Sequence, residues 1–320
     1  MTDGEAVRWG VVSTARINEK VLRGARAAAG VEVVAVGSRD RARGEAFAAE
    51  HGIGRVHGSY EELLADPEVE AVYIPLPNSL HVPWSVRALE AGKHVLCEKP
   101  LTRRAAEAEA AFDAAERAGR LLVEGFMWRY HPQTDALVRV AREIGPLRVV
   151  RAAFGFPLGA DPTNVRLQRE LEGGALMDVG CYCVSALRLL CGEPERVGAE
   201  AVAGGDGVDG RFAGVLRFGG GVLGSFDCGF DVPPRAVLEV VGEGGTLVST
   251  DPWHGVAPRL TLTRPGGEAE DVPVAAADPY RLELEDLSAA IRGGPAPRLG
   301  REDAIGQALA IEALYAAASG

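Results

Sequence analysis

The stretch Val7-Arg8-Trp9-Gly10-Val11-Val12-Ser13-Thr14-Ala15-Arg16-Ile17-Asn18 decides how the rest of the chain is read. An apolar run over 7–12 predicts a strand, and a helix is predicted over 17–29. A strand that ends at a helix N-terminus is a place where backbone amides can hold a pyrophosphate. Where a dinucleotide-binding turn would carry its three glycines, this chain has Ser13, Ala15 and Asn18. Small residues still allow close backbone approach, but the turn alone reads equally well as an ordinary strand–helix connection.

Outward from this stretch, apolar and amphipathic runs alternate as far as residue 125. Strands are predicted over 31–36, 69–74, 94–97 and 121–123, and helices over 41–51, 81–91 and 103–118. Short, continuously apolar strands suit a parallel sheet covered on both faces. Past residue 125 the pattern changes. A helix over 133–143 leads to a long run over 147–156, a glycine-rich segment to 173, and a strong helix over 174–191. Short alternating strands with Gly-Gly and Pro-Pro turns then run from 195 to about 262, and helices over 279–291 and 301–318 close the chain. The expected fold class is α/β. It has an N-terminal Rossmann-type doubly wound parallel sheet over 1–125 and a C-terminal α+β domain with a mostly antiparallel open sheet over 126–320.

Composition narrows the function. The chain has 320 residues, 47% hydrophobic and 25% charged, the balance of a globular protein. A formal net charge of −11 argues against a sequence-independent nucleic-acid binder. The short acidic opening before Val7 leaves no room for a signal peptide, and no apolar stretch reaches the roughly 18 residues of a membrane span. Five cysteines form no disulfide framework. A reduced, cytoplasmic protein with neither membrane nor nucleic-acid partner is expected. Lysines are scarce, three against 31 arginines, so each of Lys20, Lys93 and Lys99 draws notice.

At the end of the second strand, Ser38 and Arg39 stand where a NAD-binding fold places an acid for the ribose diol. A hydroxyl and a guanidinium suit a 2′-phosphate, so NADP(H) is the preferred cofactor, with NAD(H) second. Asp40 reads as a helix cap. The run 94–97 ends in Glu98-Lys99-Pro100, at the sheet edge where ligands sit in this architecture. Asp178 and Tyr182 are spaced i, i+4 on the helix over 174–191, off its apolar stripe of Leu176, Val179, Cys183, Leu187 and Leu190. Cys181, Cys183 and Cys191 invite a metal reading. Positions 181 and 183 diverge by about 200° on a helix, so no metal site is expected.

With these blocks in order, the sequence resembles the glucose–fructose oxidoreductase / inositol dehydrogenase / rhizopine-catabolism oxidoreductase family over nearly its whole length. The carriers are residues 9–18, Ile74-Pro75-Leu76-Pro77-Asn78-Ser79-Leu80-His81, Glu98-Lys99-Pro100, Glu124-Gly125-Phe126-Met127-Trp128-Arg129-Tyr130-His131-Pro132 and Gly173-Gly174-Ala175-Leu176-Met177-Asp178-Val179-Gly180-Cys181-Tyr182. It is most similar to the branch holding dimeric dihydrodiol dehydrogenases and NADP-dependent D-xylose 1-dehydrogenases, which share the Ser-Thr-Ala-Arg-Ile turn and the tyrosine.

The resemblance implies that Lys99 lies beside the nicotinamide and the reacting hydroxyl, with Tyr182 as acid/base and Asp178 orienting substrate or lysine. A neighbouring ammonium would favour the phenolate of Tyr182. Cofactor contacts are implied for Ser13, Thr14, Ala15, Arg16, Ile17, Ser38, Arg39, Pro75, Leu76, Asn78, His81, Glu98, Lys99, Trp128, Arg129 and Arg166. Helix start is the competing role for His81, and a loop salt bridge for Arg166. The implied activity is hydride transfer with an aldose or cyclic vicinal diol, by a homo-oligomer (dimer or tetramer) joined through its C-terminal sheet. The alternatives are a nucleotide-sugar ketoreductase, a redox-initiated NAD-dependent glycosidase, and a dinucleotide-sensing regulator.

Overall fold

The computed structural model describes residues 5–159, 161 and 163–319. The acidic opening read from the sequence begins at residues 1–4, outside the described ones, as do 160 and 162 of the glycine-rich segment. The chain divides into two compact units. The first takes in 1–102, 106–127 and 278–305, and the second takes in 103–105, 128–277 and 306–320.

In the first unit, strands β1 (Val7–Val12), β2 (Val31–Gly37), β3 (Arg55–His57), β4 (Ala71–Ile74), β5 (His94–Glu98) and β6 (Leu122–Gly125) form one parallel sheet. Their order is β3-β2-β1-β4-β5-β6. Helices α1 (Asn18–Ala27), α2 (Arg41–His51), α3 (Tyr60–Ala65), α4 (His81–Glu90) and α5 (Ala105–Ala118) connect them. The doubly wound sheet is as expected, and the strand order reverses between β1 and β4. Ligands in such sheets lie at the carboxyl ends beside that reversal.

The sequence reading contains neither β3 nor α3, because three- and six-residue elements are too short to show a period. Yet α3 fills a gap that only glycines leave. A Cβ on Gly10 or on Gly37 would come within 3.0 Å of the Leu63 side chain. Leu63 is fully buried there, a burial that contributes roughly 2 kcal/mol.

The second unit opens with α6 (Pro132–Glu143) and β7 (Leu147–Gly155). The helix expected over 174–191 is broken in kind: a π turn over Leu176–Gly180 runs into α7 (Cys181–Cys191). Then follow β8 (Pro194–Ala203), β9 (Asp209–Phe218), β10 (Leu223–Gly229), β11 (Arg235–Gly242), β12 (Gly245–Ser249), β13 (Leu260–Thr263) and β14 (Ala269–Val272). With β7 they make an eight-stranded sheet, ordered β14-β13-β12-β11-β7-β10-β9-β8. Every pair is antiparallel except β7 with β10.

The covered face of this sheet holds Phe212, Leu216, Phe218 and Phe226, all buried. Helix α7 comes so close that a Cβ on Gly224 would meet Leu187 at 3.1 Å. The opposite face leaves Val215 58% exposed, and a trough of about 800 Å³ crosses it, lined by Arg151, Val215, Ser225, Asp227, Arg235 and Glu239 among others.

Two last helices, α8 (Pro279–Ile291) and α9 (Arg301–Ala318), match the expected bounds. Their membership differs from a single division after residue 125: α8 belongs to the first unit, and α9 passes from the first into the second. Helix α8 is bound there by close packing. A Cβ on Gly24 of α1 would lie 2.7 Å from the Arg281 nitrogen, and Trp9 Nε1 donates to Ser288 Oγ at 3.1 Å.

One helical run, Arg169–Cys191, is long and apolar enough to cross a membrane, against the expectation that no stretch would be. Of the apolar 18-residue window within it, 78% is buried inside the fold, as in a core helix.

Candidate active site

The β1–α1 loop takes the shape a glycine turn would take. Ser13 has φ 71°, the left-handed region that glycine enters without cost. Two bonds hold it: its amide donates to the Gly37 carbonyl at 2.8 Å, and its carbonyl accepts from Asn18 Nδ2 at 2.8 Å. Asn18, in the third glycine position, thus locks the turn that Ser13 strains. Thr14, Ala15, Arg16 and Ile17 follow, and α1 starts with no side-chain cap on its first amides. Ser13 Oγ is buried without a partner. The first amides of α1 are taken by loop carbonyls, Asn18 N by Ala15 at 3.0 Å, Glu19 N by Arg16 at 3.2 Å and Lys20 N by Ile17 at 3.0 Å, so the buried, unpartnered Ser13 hydroxyl is the group of this loop that fits a phosphate-bearing cofactor.

At the end of β2 the roles divide. Asp40 accepts from the Arg43 amide at 3.1 Å and caps α2, as its sequence position implied. Ser38 is buried, and its hydroxyl is already used, donating to the Asp40 carbonyl at 2.7 Å. Arg39 is exposed, its guanidinium 6.0 Å from the Tyr60 ring centre. Arg43, which the sequence reading did not single out, donates to the Thr14 carbonyl at 3.3 Å. Its signal was available: the first turn of α2 faces the phosphate loop whenever Asp40 caps it.

The strand ends supply the next groups. Pro75 is buried at the end of β4, while Leu76 and Asn78 are part-exposed. His81 is 1% exposed, with Nδ1 2.8 Å from the Pro100 carbonyl and Nε2 2.7 Å from the Leu76 carbonyl, and a neutral ring, with its single N–H, donates to one of them at a time. Burial draws its pKa down to about 4, helped by the Lys99 charge and opposed by the two carbonyls. The ring thus lies between the β4 loop and the Glu98-Lys99-Pro100 turn, and it begins α4, the helix-start role its position also allowed. Glu98 and Lys99 are part-exposed, and the Lys99–Pro100 bond is cis. Tyr73 donates its hydroxyl to Glu98 Oε1 at 2.6 Å. Of the other lysines, Lys93 is structural: it is buried, and its ammonium donates to the Asp66 and Val69 carbonyls, each at 2.7 Å.

In the second unit, Asp178 sits on the π turn and Tyr182 on the first turn of α7. Arg166 Nε donates to Asp178 Oδ2 at 2.6 Å, which forms the salt bridge expected as one of its two roles. The Gly173-Gly174 pair makes this contact possible. A Cβ on Gly173 would lie 2.3 Å from the Arg166 carbonyl, and one on Gly174 2.2 Å from Asp209 Oδ1. Asp209, buried on β9, accepts from the Leu176 amide at 2.6 Å and from the Tyr315 hydroxyl at 2.9 Å. Burial raises its pKa despite these donors.

Packing does not set Tyr182 apart from the apolar stripe of its helix. Residues Cys181 to Arg188 are all buried, so α7 has no polar side against which Tyr182 would stand out. Its ring packs edge-on to Phe154 at 5.4 Å and lies 5.9 Å from Trp253. Trp128 is equally deep, packed on Trp253 at 5.7 Å. Arg129 stacks on Trp128 and reaches Ser185 Oγ at 3.4 Å. Cys183 and Cys228 are buried thiols whose pKa burial drives well up. Among the described residues no group of three His, Cys, Asp or Glu is placed to hold a metal.

Comparison with known proteins identifies the family. Residues 7–126 match the oxidoreductase family with an NAD-binding Rossmann fold, and 136–248 match the GFO/IDH/MocA C-terminal domain. The chain is 41% identical over 316 residues to D-xylose 1-dehydrogenase (NADP(+)) 2 of Haloferax volcanii, covering 97% of each. It is 40% identical over 229 residues to the mouse trans-1,2-dihydrobenzene-1,2-diol dehydrogenase, covering 70% of this chain and 68% of the other. Among solved structures, a 3-ketoreductase from Actinomadura kijaniata, in complex with NADP and TDP-benzene, superimposes with a TM-score of 0.92 at 33% identity over 98% of both chains. By whole-length sequence and by fold, this chain belongs to the GFO/IDH/MocA oxidoreductase family.

Proposed function

We propose that this protein is an NADP(H)-dependent oxidoreductase that interconverts hydroxyl and carbonyl on an aldose or a cyclic vicinal diol. The observation that carries the reading is the carboxyl end of β5, where Lys99 follows Glu98 at the ligand edge of a dinucleotide-type sheet. NADP(H) is favoured because the acid at the end of β2 is spent on capping α2, leaving Arg39 and Arg43 to meet a 2′-phosphate. The Ser13 hydroxyl and the loop over 13–17 would hold the pyrophosphate. When bound, the cofactor supplies or accepts the hydride.

The chain's own residues manage the proton and the charge. Tyr182 exchanges a proton with the substrate oxygen. Lys99 stabilises negative charge developing there. Asp178, aimed by Arg166, orients the substrate hydroxyls. Likeness to the 3-ketoreductase favours a second reading, reduction of a keto group on a nucleotide-linked sugar, which the same residues would serve. In either reading two copies pair through the open face of the eight-stranded sheet. Five free cysteines, four of them buried, suit a reducing cytoplasm.

The test is nicotinamide absorbance with NADP⁺ and with NAD⁺ across a panel of aldoses and cyclic diols. Turnover with NADP⁺ supports the reading. Binding of NADPH with a silent panel moves the substrate to 3-keto sugars, and failure to bind either cofactor refutes both. Tyr182→Phe is expected to cut turnover at least about 100-fold with NADPH binding intact; unchanged turnover removes Tyr182 from the chemistry.

A further inference from the structure

Helix α8 buries a carboxyl that the reaction above does not use. Glu283 is 0% exposed, and neither of its carboxyl oxygens has a hydrogen-bond partner. An ionised carboxylate in that setting would cost several kcal/mol. The sheet brings it two titratable neighbours, Glu98 and Tyr73, and each of them feels its charge or acts on it. Its own helix contributes Tyr280 and, at the cap, Asp278, whose charge is met by Arg23 at 3.5 Å. Helix α1, packed on α8, turns Asn18, Val21, Leu22 and Ala25 inward, none of them charged.

Two carboxyls that share one interior do not both ionise. Glu98 is part-exposed and accepts the Tyr73 hydroxyl, so the charge rests there. We propose that Glu283 is a buried neutral acid that limits the Tyr73–Glu98–Glu283 cluster to one negative charge beside Lys99, and is thereby a positioning residue for the Glu98-Lys99 turn. The catalytic consequence rests on the reading of Lys99 as a substrate-facing group, whereas the protonation state does not. Burial pushes the Glu283 carboxyl well above the usual carboxylate range, and the Glu98 and Asp278 charges push the same way. Burial also raises Tyr73, which keeps it a donor to Glu98.

The sign of the linkage follows. Folded Glu283 holds its proton at a pH where the unfolded chain has released it, so the native state binds the extra proton. Its stabilising contribution is complete below the unfolded pKa and is lost as pH rises towards the folded one. Glu283→Gln is nearly isosteric with the neutral acid and carries no such loss.

The experiment compares full-length wild type and Glu283→Gln by thermal unfolding from about pH 5 to about pH 9. It also compares their infrared absorption in the protonated-carboxyl region at neutral pH. The variant is expected to match wild type at the acid end and to gain on it with rising pH, by up to about tenfold in the unfolding equilibrium per pH unit. A protonated-carboxyl band present in wild type should vanish in the variant, and Glu283→Met repeats that test if the glutamine form does not fold. Parallel stability curves or an unchanged band overturn the neutral acid. For the positioning role, the alkaline limb of kcat/KM should move to higher pH in the variant. An unmoved limb overturns that role even with the band assigned. If the substrate panel is silent, the infrared and unfolding results still decide the protonation state.

Discussion

Ser13 occupies a backbone conformation that costs an L-residue about 1–2 kcal/mol, and the chain meets that cost with Asn18 rather than with a glycine. The loss of the glycine pattern is therefore a replacement of one local solution by another, and the loop keeps its shape. Arg43 is the residue whose role depends most on this, since it donates to Thr14 inside the same loop. Arg43→Ala is expected to weaken NADPH binding about tenfold, or ~1.4 kcal/mol, and to leave NADH binding within about twofold. Equal losses for both cofactors, measured by fluorescence titration, would mean that Arg43 only braces the loop. Asp40 was legible as a cap from position alone. The setting of His81 was not legible, because the two carbonyls its ring nitrogens face come from segments 5 and 19 residues away.

At the scale of elements, the segment that carries Asp178 and Tyr182 is held by its start. The π turn places one extra residue in the helix, an irregularity often found at functional sites, and no spacing in the sequence announces it. Asp209 from β9, which accepts the Tyr315 hydroxyl of α9, fixes the Leu176 amide, while Gly174, at φ 121°, leaves room for the carboxylate. Gly174→Ala is expected to cost about 3 kcal/mol or more, combining strain with a clash against Asp209. Urea unfolding measures it, and a loss under ~1 kcal/mol would show that the turn relaxes freely. The Gly173-Gly174 pair was visible in the sequence as a motif. Its physical reason, the passage of Arg166 and Asp209 over those two Cα atoms, was not.

For the whole molecule, each sheet is a complete layer in its own unit, but only the parallel one is covered on both faces. The exposed face of the other carries Val215 on β9, next to the edge strand, with charged side chains about it. This is the face through which two copies are proposed to pair, and Val215 is its exposed apolar side chain on β9. Val215→Asp is expected to convert a dimer into a monomer in light scattering, with little change in monomer stability. An unchanged mass would place the interface elsewhere. Chain order does not respect the two units either, since α8 follows the whole antiparallel sheet and still belongs with the parallel one.

The sequence by itself determined the alternation of strand and helix, the parallel sheet, the antiparallel character after residue 125 and both terminal helices, because periodicity and turn chemistry are local. It also determined the Glu98-Lys99-Pro100 edge, since a strand end is set by its own residues. Only the tertiary structure decided which unit α8 joins, that β7 and β10 run parallel, that Ser38 turns its hydroxyl inward while Arg43 turns towards the loop, and that α7 is buried on every side. Each of these depends on partners distant in the chain, and burial by distant partners leaves no period in the sequence to read.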